Sequence, residues 1–280
     1  MKNYKILDSF HLKIIALVSM FIDHFAATLL TFLVNASYTN ITNRQLGEFR
    51  TNIIMFINKK QDIFQNMVLV MRIIGRMAFP IYCFLLVQGF TYTKNKWKYV
   101  LRLLIFAFVS EWPFDMAFNK LEYMEFKIYN NVFFTLLLGF IFMWLISYIQ
   151  NIKVKICSKC NTVSKIGFNI VYICVILFVG VLIFLLSKVF VSDYGIAGII
   201  CILLMYLFRK YAILSYVLGT LAIWIVSLNE IQLYALLGII PIIMYNGQKG
   251  KSVKWLFYIF YPAHLMILLI LSMCMGVYNI

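Results

Sequence analysis

Two of the three histidines and a few charges interrupt long apolar stretches of the chain, and these residues have the most chemistry to offer. His24 follows Asp23 in "SMFIDHFAATLL", residues 19–30, and His264 lies in "FYIFYPAHLMILL" near the opposite end. A neutral imidazole can take up a proton near physiological pH and return it, which is what a general base must do. An ionisable side chain at bilayer depth is costly unless it is paired or used, so both histidines count as candidate functional groups. Successive residues on a helix diverge by about 100°. Asp23 therefore does not face His24, and it is expected to point at another helix and meet an arginine. Lys13 precedes His24 by three helical turns, which puts it on nearly the same face, about 16 Å closer to the N-terminal end.

Four more charges pair by spacing. Arg72 and Arg76 are four apart, as are Glu111 and Asp115, so each pair lines one helix face. Their two segments are expected to form an antiparallel hairpin joined at the basic loop around Lys94–Lys98, in which residues at equal depth have a constant sum of positions. Arg76 is then expected to face Glu111 and Arg72 to face Asp115, either as packing staples or as substrate contacts. Pro113 lies between the acids and removes a backbone donor, a device common where a helix lines a polar cavity. Asn131, in "YNNVFFTLLLGF", is expected to cap the next helix or touch substrate. The "CSKC" at 157–160 has neither a second pair nor a nearby histidine, so no metal site is expected.

The elements that position these groups must be membrane helices. The chain has 280 residues, 64% hydrophobic and 12% charged, with a mean hydropathy of +0.91, far more apolar than a soluble domain. Its net charge of +15 does not imply nucleic acid, because the basic residues form short clusters between apolar segments. The implied surroundings are a lipid bilayer. Apolar stretches at about 10–34, 71–92, 99–118, 131–149, 168–190, 194–208, 211–227, 231–245 and 255–275 predict an all-α, polytopic bundle of about nine helices. The first is too long for a signal core and is expected to remain as a membrane helix. With the N-terminus in the cytoplasm, the clusters around Lys13, Lys94–Lys98, Lys153–Lys165, Arg209 and Lys249–Lys254 all fall inside. The one long polar loop, 35–66, then falls outside, with a short interfacial helix expected near 53–58. No repeat or soluble domain interrupts residues 1–280, so the chemistry belongs within the bundle or at its edge. A transporter or flippase would use buried charges equally well, but no repeat relates the two halves.

Read in order, "LDSFHLKIIALVSMFIDHFA", "RIIGRMAFPIYCFLLVQGFTYTKNKWKYVLRLLIFAFVSEWPFD", "NNVFFTLLLGF" and "LFYIFYPAHL" resemble the TraX family of membrane proteins. The resemblance covers both ends and residues 70–140. It implies a multi-pass acyltransferase of the cell membrane that moves an acetyl group from cytoplasmic acetyl-CoA to an acceptor outside. The acceptor would be a pilin-like N-terminus or an envelope glycan or polymer. In one branch of such acyltransferases a basic residue precedes a catalytic histidine by ten intervening positions, and Lys13 and His24 fit that spacing. The resemblance thus implies that Lys13 binds donor phosphates, that His24 acts as base, and that His264 orients the thioester or holds the acceptor. Asp23 belongs to the same catalytic group. Arg72, Arg76, Glu111, Asp115 and Asn131 are structural or substrate-contacting.

Overall fold

The computed structural model describes residues 5–38, 48–118, 131–157, 162–189, 193–251 and 254–275. Every regular element among them is helical. In chain order these are α1 (Ser9–Phe25), a π turn (Ala26–Leu30), α2 (Thr31–Tyr38), α3 (Glu48–Lys59), α4 (Gln61–Gly75), α5 (Ala78–Tyr92), α6 (Lys96–Phe118) and α7 (Val132–Cys157). There follow α8 (Thr162–Val189), α9 (Gly195–Leu207), α10 (Ala212–Ser227), a 3-10 helix (Glu230–Gly238), α11 (Ile239–Ile243) and α12 (Lys254–Cys274).

Five spans are long and apolar enough to cross a membrane: Ser9–Asn35, Gln61–Tyr92, Val132–Lys155, Asn169–Ser187 and Trp255–Cys274. The chain is a membrane protein. The remaining expected spans map onto helices of a different kind. α6 is long enough but carries Arg102, Glu111 and Asp115, and α9, α10 and Glu230–Ile243 are shorter. The expected 71–92 helix begins ten residues earlier, at Gln61, and breaks at Arg76–Met77 into α4 and α5. Gly75 and Pro80 flank that break, and Pro80 sits in the first turn of α5, where a missing N–H costs nothing.

Local chemistry explains α1. Asp8 caps it, its Oδ1 accepting from the Phe10 and His11 amides at 2.8 and 3.0 Å. Its buried residues, Ser9, Leu12, Ala16, Ser19, Met20 and Asp23, recur every three or four positions and form one inward stripe. That stripe packs against α4 and α5, while α12 lies alongside. α5 is buried nearly all round, through Phe79, Ile81, Cys83, Phe84 and Val87, and is the central helix of the bundle. α8 is the opposite case, with Ile170, Val171, Leu177 and Phe178 all facing outward, as a helix bordered by lipid would be. α3 includes the 53–58 segment expected to be an interfacial helix, and Ile57 closes a small cluster with Leu29, Leu33 and Val34.

The expected hairpin of the second and third apolar segments is not a packed pair. α6 lies against α7 and α12, whereas α5 lies against α1 and α9. A constant sum of positions sets equal depth, but depth does not determine which helices are neighbours.

Candidate active site

α1, α4, α5, α6, α7, α12, the Asp193–Tyr194 turn and the loop at Lys249 line one cavity of about 740 Å³. At one end it is lined by His24, Asp23, Arg72, Arg76 and the exposed Asp193, and along α1 toward its start by Ser9 and Lys13, with Thr93, Arg102 and Lys249 also in the lining. Lys13 and His24 thus open onto the same space, as their spacing on one helix face requires. Lys13 also sits over the Phe257 ring, 5.2 Å from its centroid.

Asp23 points away from its neighbour, as helical divergence predicts, and meets two arginines. Its Oδ2 accepts from Arg72 Nη1 at 2.9 Å, and Arg76 Nη2 donates to Oδ1 and Oδ2 at 2.7 and 2.8 Å. Arg76 Nε reaches back to the Arg72 carbonyl at 3.3 Å. The expected Arg76–Glu111 and Arg72–Asp115 pairs are therefore corrected: α1, not α6, supplies the carboxylate. Gly75 makes the contact possible, because a Cβ there would lie 2.3 Å from the Asp23 side chain. Ser19 fixes the same crossing by donating to the Ile74 carbonyl at 2.6 Å.

Glu111 instead meets Asn131. Asn131 Nδ2 donates to Glu111 Oε2 and to the Ala107 carbonyl, while its Oδ1 accepts from the Phe133 amide at 3.0 Å. Asn131 is thus both the cap of α7 and a tie to α6, fully buried beside the cavity wall rather than lining it. Asp115 is half-buried on α6 and does not line the cavity. The "CSKC" segment falls outside the described residues from position 158 onward, as does the Cys157 side chain.

The two histidines, 240 positions apart in sequence, come together. His24 Nδ1 and His264 Nε2 are 2.7 Å apart, and the rings lie edge to edge, within 12° of parallel, with centroids at 4.9 Å, the arrangement of an in-plane hydrogen bond. His264 Nδ1 lies 2.7 Å from the Phe260 carbonyl oxygen. A carbonyl can only accept, so His264 Nδ1 carries the hydrogen and, in the neutral ring, its Nε2 is an acceptor. The hydrogen between the rings then belongs to His24 Nδ1. By elimination, His24 Nε2 holds a lone pair, on a ring that lines the cavity. Both His264 nitrogens are occupied, and His264 stands behind His24 rather than in the cavity lining. Phe118 and Tyr261 stand edge-on to His24, with centroids at 5.3 and 6.0 Å, and shield the pair.

A π turn begins two residues after His24. Such a bulge disturbs the regular carbonyl ladder, and two hydroxyls compensate: Thr28 Oγ1 donates to the His24 carbonyl at 2.8 Å and Thr31 Oγ1 to the Ala26 carbonyl at 2.6 Å. The sequence carried no mark of it beyond two threonines in an apolar run.

Sequence reasoning missed three wall groups. Asp193 lines the cavity within electrostatic reach of both arginines, and Tyr194 stacks on Phe79 with centroids at 3.6 Å. The signal available was "SDYG" before an apolar segment too short to span, which marks a connection that returns into the bundle. Tyr82 presents a buried hydroxyl with no hydrogen-bond partner to the cavity wall, the kind of orphan a polar ligand would satisfy. Among the described residues no cluster suits a metal ion.

Residues 9–272 match the family described as TraX protein. The chain is also 25% identical to a protein of Dichelobacter nodosus named probable fimbrial assembly protein FimC, serogroup H1, over 93% of this chain and 94% of that one. No solved structure matches.

Proposed function

The chain belongs to the TraX family, and from that premise we propose that it is a plasma-membrane acyltransferase, N-terminus inside, that moves an acetyl group from cytoplasmic acetyl-CoA to an extracytoplasmic acceptor. One observation supports the reading: His24, its Nδ1 held by a second histidine and its Nε2 left with a lone pair, lines the same cavity as Lys13, three helical turns away on α1.

The proton balance follows from the tautomers. His24 Nε2 takes the proton from a neutral amine or hydroxyl of the acceptor as that atom attacks the thioester carbonyl. The new bond is C–N or C–O, and the bond that breaks is C–S. His24 Nε2 then returns its proton to the departing thiolate, so the enzyme ends unchanged and the products are acetylated acceptor and coenzyme A. While His24 is an imidazolium, its Nδ1–H stays anchored to His264 Nε2, which keeps the ring aimed at the reacting atoms. The Arg72–Asp23–Arg76 cluster fixes α1 against α4 beside the base. The name of the Dichelobacter relative supports a fimbrial or pilin-like subunit as acceptor over a glycan.

The test is transfer of label from acetyl-CoA by protein purified into lipid nanodiscs, combined with mass spectrometry of surface proteins and envelope polymers from a deletion strain. The reading requires acetyl-CoA-dependent labelling and one acceptor lacking a single acetyl unit. A strain with an unaltered acetylation profile, together with inert purified protein, overturns it.

A further inference from the structure

The mouth of the cavity is more elaborately built than a positive-inside signal requires. The loop "NGQKG", residues 246–250, is clamped onto the start of α1. Leu7 N donates to the Met244 carbonyl at 3.0 Å, Asn246 N to the Leu7 carbonyl at 2.8 Å, and Ser9 N to the Gln248 carbonyl at 2.8 Å. Ser9 Oγ lies 3.0 Å from the Gln248 carbonyl oxygen and 2.9 Å from the Tyr245 hydroxyl. Gly247 and Gly250 turn the loop at φ 80° and 63°. A Cβ at Gly250 would lie 2.3 Å from the Asp8 carboxyl group, so backbone is held directly against the cap of α1. The outcome of this bracing is that Lys249 lines the cavity.

Arg102 approaches from α6. Its guanidinium lies over the Tyr99 ring, 5.2 Å from the centroid, and its buried Nε has no hydrogen-bond partner. Lys13 completes the cationic end. The acidic residues lining the cavity, Asp23 and Asp193, are both beside Arg72 and Arg76, and Asp8 is engaged by the backbone of α1. Three cations from three elements line the one cavity, Lys249 on a braced loop and Arg102 with an orphaned donor, a set of groups suited to a polyanion. The distance along α1 from Lys13 to His24 is about 16 Å, comparable with the extended arm that separates the thioester of coenzyme A from its phosphates.

We propose that Lys249 and Arg102, together with Lys13, form the subsite for the phosphates of a nucleotide-bearing thioester donor. The proposal rests on the acyl-donor reading above. It is tested by the affinities of coenzyme A, adenosine 3′,5′-bisphosphate and pantetheine for the full chain in phosphatidylcholine nanodiscs. Lys249→Glu and Arg102→Gln are expected to weaken coenzyme A and the bisphosphate about tenfold or more and to leave pantetheine unchanged. Lys251→Glu, on the same loop but not lining the cavity, should bind all three like the unaltered protein. The proposal is overturned if both variants hold the bisphosphate normally, if Lys251→Glu loses as much, or if phosphatidylglycerol in the nanodisc displaces the bisphosphate and marks the mouth as a headgroup site. The expected binding pattern without any acetyl transfer would sink the proposed function and leave the subsite standing. Active transfer with unaltered donor KM in both variants would do the reverse.

Discussion

At the scale of single residues, the two histidines have unequal roles because their nitrogens are differently committed. His24 retains a lone pair and His264 has none to spare. His24→Ala is expected to lower acetyl transfer about a thousandfold, the range of a lost general base, at unchanged membrane abundance. His264→Ala should lower kcat about tenfold to a hundredfold with donor KM unaltered, the range of a lost orienting partner. His264→Gln, whose carbonyl oxygen can accept from His24, should recover part of that, and His264→Met should not. A His264→Ala defect confined to KM would mean that the residue holds substrate. Asp23 differs from both, since its partners are cations. Asp23→Leu leaves two guanidiniums without their counter-charge, Arg76 being buried, and is expected to cost about 3–5 kcal/mol in thermal unfolding measured in detergent. Adding Arg76→Leu should restore part of that loss. Exchanging Arg76 with Glu111 should rescue nothing, because these residues are not partners.

At the scale of elements, the crossing of α1 with α4 holds the site in shape. Gly75 is the contact point, and Gly75→Ala should cost about 1–3 kcal/mol because a methyl group 2.3 Å from Asp23 must displace the carboxylate its arginines depend on. The check is unfolding temperature alongside acetyl transfer, and both should fall together. A variant as stable as the unaltered protein would mean that α4 can slide. Some of this crossing could be read in advance. The stripe from Ser9 to Asp23 recurs at helical spacing, and an acid at its end must face the interior. The break between α4 and α5 was signalled by Gly75 and Pro80 but hidden by an apolar run that reads as one span. The π turn had no signal, because an extra residue in a helix is a response to what the helix packs against.

At the scale of the whole molecule, the proposed orientation puts the basic mouth on the cytoplasmic side and residues 35–66 on the opposite side. In a background without native thiols, Lys59→Cys should react with an impermeant thiol reagent in intact cells, and Lys155→Cys only after permeabilisation. The opposite pattern would invert the protein and put the donor subsite on the wrong side. What the sequence determined by itself was class and cost. A chain 64% hydrophobic must satisfy its backbone internally, hence helices, and the few ionisable groups within them had to be paired or used. It also determined relations along one helix, such as Lys13 in line with His24 and Asp23 turned away, because rise and rotation per residue are local properties. Only the tertiary structure decided who meets whom: Asp23 with Arg72 and Arg76, Glu111 with Asn131, and His24 with His264. Those choices depend on which helices are neighbours and how each is rotated. Both are set by the sum of many contacts distributed over the whole bundle, so no short stretch of sequence contains them.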